Sequence, residues 1–232
     1  MFKTFSLCSI ILFYSAAAIW GEDYYRYLVN AQSMIGATGN ISNPSPYLVP
    51  QHVYTVGLHR FIIGVNTGIR SSGEIGVNAN LVSISQISKP GDSSIGNKNN
   101  YIIHGKYSFT KNRLERKDLN LACGLYTDRL VYQTLYLVAG REVSAQSNTI
   151  VQAGTDYSEN KLSYFLTFIQ PTKYSLFICE YRARNNESNF GWRVLLSRDV
   201  KLDIFIKSNN NFRDWFNTFI FGLTLATKQN AG

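Results

Sequence analysis

The chain reads as all-β, an antiparallel transmembrane β-barrel of about 10–12 strands with an N-terminal irregular lead-in segment, and three observations point there. From Gln51 onward the dominant apolar period is two, in segments broken by Gly, Asn, Ser, Asp and Pro. These segments run to roughly nine to eleven residues, the length of a tilted strand that crosses a bilayer. Past the N-terminus no stretch reaches the ~18 consecutive apolar residues of a membrane-spanning helix, so a membrane reading requires a closed barrel that satisfies its own backbone.

The first residues read as a secretory signal covering 1–21. Lys3 supplies the positive start, Phe5 to Ala18 a short apolar run, and Ala16-Ala17-Ala18 small residues for cleavage. The run is shorter than the roughly 20 residues of a helical anchor. Cys8 leaves with it. Removal takes away one Lys and no acid, so the formal charge falls from +8 to +7. Export makes anionic lipid or polysaccharide, and no nucleic acid, the partner that this excess suits.

Residues 22–50 differ in character from the rest of the chain. The Gly-, Asn- and Pro-rich run from Met34 through Asn40 to Pro44, Pro46 and Pro50 is an ordered lead-in or plug-like segment rather than a strand. The barrel domain is then 51–232. Its clearest alternation sets Val200, Leu202, Ile204 and Ile206 against Lys201, Asp203 and Lys207, with Phe205 the apolar exception. Before it, Trp192, Val194 and Leu196 oppose Arg193, and Ser197-Arg198-Asp199 is short enough for a tight hairpin.

Earlier segments repeat the design, with Ile75, Val77, Ala79 and Leu81 against Glu74 and Asn78, and Tyr101, Ile103 and Tyr107 against His104 and Lys106. Phe219, Phe221, Leu223 and Leu225 mark a closing strand. Further strands are expected over 53–60, 61–69, 119–127, 130–139, 149–157, 161–170 and 174–184. Segments 130–139 and 161–170 are apolar on both faces, which implies local interior packing. The polar stretches Ser88 to Asn100 and Lys111 to Asp118 read as long loops on the cell exterior. Tyr101, Tyr126, Tyr157, Tyr174, Tyr181 and Trp192 are candidates for an interfacial aromatic girdle. Export would let Cys123 and Cys179 pair as a disulfide, but both sit at apolar-facing positions, where a free thiol behaves as a small hydrophobe, and unpaired thiols are the favoured reading.

The inward, polar face supplies the candidate lumen-lining residues: Glu74, Asn78, His104, Lys106, Glu180, Arg182, Arg184, Arg193, Lys201, Asp203 and Lys207. Charges there must pair or be hydrated. A salt-bridge network filling a narrow lumen is the plainer reading of this mainly cationic set, and a passage for anionic sugars the sharper one. No cofactor loop, metal spacing or nucleophile elbow is present in the sequence. His52, His59 and His104 lack zinc-site spacing, and His104 and Ser108, four apart on a strand, are roughly 13 Å apart. The chain is therefore read as no enzyme.

Two stretches carry a resemblance. Met34 to Gly39, Gln51 to Leu58 and Ser72 to Val77 form the first, and Cys179 to Arg182, Asn189 to Val194, Val200 to Asp203 and Phe221-Gly222-Leu223 the second. Together they resemble the barrel repeats of YjbH-like outer-membrane proteins, associated with exopolysaccharide gene clusters. Arg182 stands where that family often has Asp, and Asn43-Pro44-Ser45-Pro46 where it commonly shows Pro-Thr-Ala. The resemblance implies the bacterial outer membrane, with its lipid, lipopolysaccharide and barrel-assembly machinery as partners, and a structural or transport-type role assisting envelope polysaccharide export. Bacterial barrels usually end on an aromatic residue, whereas this sequence continues past Phe221 to Gly232, which implies an internal assembly signal or a different route. The rival reading is a secreted soluble β-barrel binding an apolar ligand on an inward greasy face.

Overall fold

A computed structural model describes residues 27–29, 31–34, 37–81, 101–110, 118–128, 132–143, 148–208 and 219–228. The expected signal segment, all of the expected loop Ser88 to Asn100 and most of Lys111 to Asp118 lie outside the described residues. The strands are β1 (Val53–His59), β2 (Ile62–Ile69), β3 (Gly73–Asn80), β4 (Tyr101–Ser108), β5 (Asn120–Asp128), β6 (Tyr132–Glu142), β7 (Ile150–Ser158), β8 (Lys161–Pro171), β9 (Ser175–Arg182), β10 (Glu187–Ser197), β11 (Val200–Ser208) and β12 (Phe219–Lys228). Each pairs antiparallel with its sequence neighbours, and β1 pairs with β12 to close a 12-stranded barrel. Closure leaves no strand edge, so every strand finds partners on both sides.

Alternation decides which side chains meet which surroundings. On β11, Lys201 and Asp203 are buried inside while Val200, Leu202, Ile204 and Ile206 face outward and stay half-buried. This observation removes the soluble rival, which needs the aliphatic row inside. Ile75, Val77, Ile103, Tyr107, Leu135, Leu137, Trp192, Phe221 and Leu223 are among the exposed apolar residues of a continuous outer belt. Cys123 and Cys179 lie on that outward face and are not joined in a disulfide.

Tight turns hold the register. Glu159 and Asn160, with φ of 51° and 60°, join β7 to β8 in the two-residue left-handed pattern whose twist matches the strands. Arg198-Asp199 joins β10 to β11, where Ser197 pairs with Val200 after a bulge at Leu195–Ser197. An antiparallel ladder delivers successive connections to alternate rims. The start of β1 and the end of β12 share the near rim, and the β1–β2, β7–β8 and β9–β10 turns lie at the far rim. β4 alone separates the two long polar stretches, so they leave from opposite rims. The expectation that both face the cell exterior is corrected by this parity.

The two segments that are apolar on both faces also find their reason. Val138 and Phe165 turn inward and are buried with Ala122 and Tyr136 in an interior cluster, against which Tyr126 packs. Tyr126 shares the inward parity of Ala122 and Gly124, so it leaves the expected girdle and points into the lumen.

Candidate functional site

The lumen is occupied by the lead-in. Leu28, Ala31, Ala37, Thr38, Ile41 and Asn43 are all 0% exposed, and Tyr47, Leu48 and Val49 are 1% exposed, so the segment before β1 runs inside the barrel as a plug. It folds back on itself. Met34 donates its N–H to Ile41 O (2.8 Å), Gly39 to Ala31 O (3.0 Å), Asn40 to Asn43 O (3.0 Å) and Ser45 to Thr38 O (3.2 Å). Pro44, Pro46 and Pro50 have no N–H to give a ladder, and among the described residues an isolated bridge from Gln51, just after the plug, to Gly68 marks where the chain meets the wall sheet. Its remaining main-chain polar groups, buried from water, need other partners.

Four charged wall residues supply them. Glu180 (β9) accepts three successive N–H bonds, from Ile41 (2.8 Å), Ser42 (2.8 Å) and Asn43 (3.2 Å), at the plug's tip. Glu74 (β3) accepts from Thr38 N (2.8 Å) and Val49 N (2.9 Å), and from the Thr38 hydroxyl. Lys106 (β4) donates to the carbonyls of Thr38 (2.8 Å), Ser45 (3.3 Å) and Tyr47. Arg193 (β10) donates to those of Leu28 (3.3 Å), Gln32 (3.4 Å), Gly39 (3.0 Å) and Asn40 (3.1 Å). Charge-assisted bonds of this kind are the strong ones, and here they also satisfy ions that burial would otherwise penalise by on the order of several kcal/mol each.

The ions are tied to one another as well. Arg193 Nε lies 2.7 Å from Asp203 Oδ1, and His59 Nε2 reaches Asp203 Oδ2 at 2.8 Å across the β1–β12 seam. That reach depends on Gly222 between them, where a Cβ would fall 2.1 Å from His59 Cδ2. Glu74 lies 3.7 Å from Lys106 Nζ and 3.4 Å from His104 Nε2. Nearer the far rim, Arg182 and Arg184 both converge on Asp156, each at 2.9 Å or less by one N–H, with Arg182 also donating to Tyr126 Oη (3.1 Å). Lys207 pairs with Glu187 at 3.3 Å.

All eleven residues read from the sequence as lumen-facing lie on the inner side, with Arg184 and Lys207 partly open at the far rim. Glu74, Lys106, Glu180 and Arg193 meet on the plug, and Asp203 backs Arg193. His104 stands beside Glu74, while Ser108 Oγ bonds Thr110 and Leu121 O rather than His104. Asn78 lies over Gly64, whose missing Cβ would sit 1.9 Å from Asn78 Oδ1. Lys201 is buried two residues before Asp203.

Two expectations are corrected. Side chains alone do not fill the lumen, because the plug does, and the inner face is not mainly cationic. Among the described residues the buried and half-buried inward acids (Glu74, Glu142, Asp156, Glu180, Glu187, Asp203) match the bases (Lys106, Arg182, Arg184, Arg193, Lys201, Lys207) at six each, and Lys161, opposite Ser158, adds an exposed base at the far rim. Sequence reasoning missed Asp156, Glu187, His59, Gln152 and Asn189. The first two were visible as residues in step with Gln152 and with Arg193 along their strands.

A closed barrel with an apolar outside, a charged inside and a plugged lumen can be stable only with its belt in hydrocarbon. The chain is an outer-membrane-type β-barrel. No family model and no curated protein matches it. Among solved structures it is similar to the KdgM porin in complex with disordered oligogalacturonate, at 7% identity over 76% of this chain and 97% of that one, with a TM-score of 0.43. It is similar to a mutant of Rh. blastica porin at 11% identity over 72% of this chain and 55% of that one, TM-score 0.37. The outer membrane phospholipase A from Escherichia coli gives 10% identity over 78% of this chain and 94% of that one, TM-score 0.38. The barrel assignment rests on this chain's own pairing ladder.

Proposed function

We propose that this chain is a gated barrel of the bacterial outer membrane, YjbH-like in family, kept closed by its own N-terminal plug and acting in transport when the plug leaves. The observation that carries the reading is the capture of the plug by Glu74, Lys106, Glu180 and Arg193 inside a lumen it fills. The role is structural while the plug stays and transport-type once it goes. Outer-membrane lipid and lipopolysaccharide are the partners of the apolar belt, and the barrel-assembly machinery the route by which such a belt reaches the membrane.

Passage of an anionic envelope polysaccharide is the finer reading. It is favoured by the rim position of Arg182, Arg184 and Lys207, and by the donors of Lys106 and Arg193 that an exit of the plug would free. The near balance of inward charges among the described residues means that these groups, not a bulk cationic field, would do the selecting.

Conductance of the refolded full chain in a planar bilayer tests the reading. The wild type is expected to be silent, with transient openings appearing in a Glu74→Gln, Glu180→Gln variant. Steady current through the wild type would overturn the gate. Block of the variant's current by oligogalacturonate, and its loss in Arg184→Ala, would support the polysaccharide reading.

A further inference from the structure

The contacts between wall and plug fall mostly on main-chain atoms. Glu74 and Glu180 take five backbone N–H groups, two and three respectively. Lys106 and Arg193 take seven carbonyls, three and four respectively. Acids thus sit where the plug presents N–H, and bases where it presents C=O. The three donors to Glu180 are consecutive, which curls the tip around one carboxylate as a turn of backbone amides cradles an anion.

Side-chain reading is thinner. Asn40 Nδ2 donates to Gln152 (2.7 Å), Asn43 Nδ2 to Thr167 Oγ1 (3.1 Å) and Leu166 O (3.4 Å), Gln32 Nε2 to Thr55 O (3.1 Å) and the Thr38 hydroxyl to Glu74, while Ser42 Oγ donates to Glu187 (3.5 Å) and accepts from Asn189 (3.2 Å). Leu28, Val29, Ile41 and Tyr47 add an apolar contact with inward residues of β7 to β12.

We infer that the lumen is a main-chain receptor for a folded-back polypeptide segment, of which the plug between residues 27 and 50 is the resident ligand. This rests on the gate reading for its biological sense but not for its chemistry. A wall that reads backbone accepts a segment by its fold and hydrogen-bonding pattern, and any peptide able to repeat the Ile41–Asn43 turn is a competitor for the plug. The covalent link to β1 adds local concentration rather than specificity. That link passes through Gln51 and His52, both exposed at the near rim.

The experiment uses the full chain with a protease site substituted at Gln51–His52, refolded in detergent and then cut. The freed plug is expected to co-elute with the barrel and to be replaced by a fluorescent synthetic peptide of residues 27–50. A peptide N-methylated at Ile41 and Ser42 loses two of the N–H groups given to Glu180 and is expected to compete at least tenfold more weakly. A peptide with Asn40, Ser42 and Asn43 changed to Ala keeps those N–H groups and is expected to lose less. On the wall side, release of the cut plug on dilution is expected to be at least tenfold faster in Glu180→Gln.

The inference is overturned if the cut plug leaves at once and its peptide does not rebind. It is equally overturned if the N-methylated peptide competes as well as the parent, since the barrel is then unaltered and only backbone donors have changed. Conductance of the uncut chain reports on the gate alone, so the two readings fail separately.

Discussion

The two sides of the lumen hold the plug by different means. Along β7 to β12 the inner wall presents Ile150, Ile169, Leu176, Ile178, Leu195, Phe205 and Ile220, which pack on Leu28, Val29, Ile41 and Tyr47 of the plug. Along β1 to β4 it presents Thr55, Asn66, Glu74, Asn78, His104 and Lys106, all buried. The apolar part of the first side is undirected, contributing about 1.5–3 kcal/mol per fully buried aliphatic or aromatic side chain, and it stands beside the hydrogen bonds that Gln152, Thr167, Glu180, Asn189 and Arg193 of the same strands make with the plug. The second is directional, and worth something only while its bonds are made. The dry side sets how firmly the plug stays, and the polar side sets where it sits. Glu180 and Arg193 carry directional contacts into the dry half, where the low polarity around them makes each loss more costly.

The largest effect is therefore expected where the two means of binding meet. Arg193 is 1% exposed, donates to four plug carbonyls and pairs with Asp203. Arg193→Ala would leave buried Asp203 with His59 as its remaining hydrogen-bond partner among the described side chains, and would orphan the carbonyls. Breaking a buried ion pair from one side costs about 3–5 kcal/mol. Urea unfolding in detergent should show a loss of that order, and limited proteolysis should show the plug cut while the belt strands stay protected. A plug as resistant as in wild type would mean that the dry wall alone retains it.

How far the sequence foretold this differs between the barrel and its contents. The belt was legible because Val200, Leu202, Ile204 and Ile206 alternate with Lys201 and Asp203, and a period of two is imposed locally by the strand itself. Interior residues such as Glu74 and Arg193 were legible by the same parity. What they bind was not, because a chain segment folded back over Gly39 and Pro44 has no period, and its partners are set by tertiary structure at separations from 36 residues, Thr38 to Glu74, to 139, Ile41 to Glu180. The inward apolar residues Val138, Phe165 and Ile169 read as irregularities for the same reason. They break the polar-in rule where the plug and its neighbours replace water.

A second test separates the walls by mechanism. Ile178 on β9 is 0% exposed and packs in the dry cluster that includes Ile41. Ile178→Ala removes apolar contacts and leaves a cavity, at a cost of about 2–5 kcal/mol for a buried aliphatic residue. Because no hydrogen bond is lost, the expected signature in a bilayer is a higher frequency of openings with an unchanged open current. A change in the current itself would place Ile178 on the passage rather than on the plug's seat.

The smallest effect is expected on the polar wall. Asn78 is 2% exposed, and neither its amide nitrogen nor its amide oxygen has a hydrogen-bond partner among the described residues. Replacing a buried polar group that makes no bond by an apolar group of similar shape is close to neutral, because a desolvation penalty is removed along with the group. Asn78→Leu is thus expected to shift unfolding by less than about 1 kcal/mol, in either direction, and to leave the full chain silent in a bilayer. A loss as large as that of Ile178→Ala would show that Asn78 is bonded through ordered water, in which case the polar wall seats the plug as firmly as the dry one and the division of labour between them disappears.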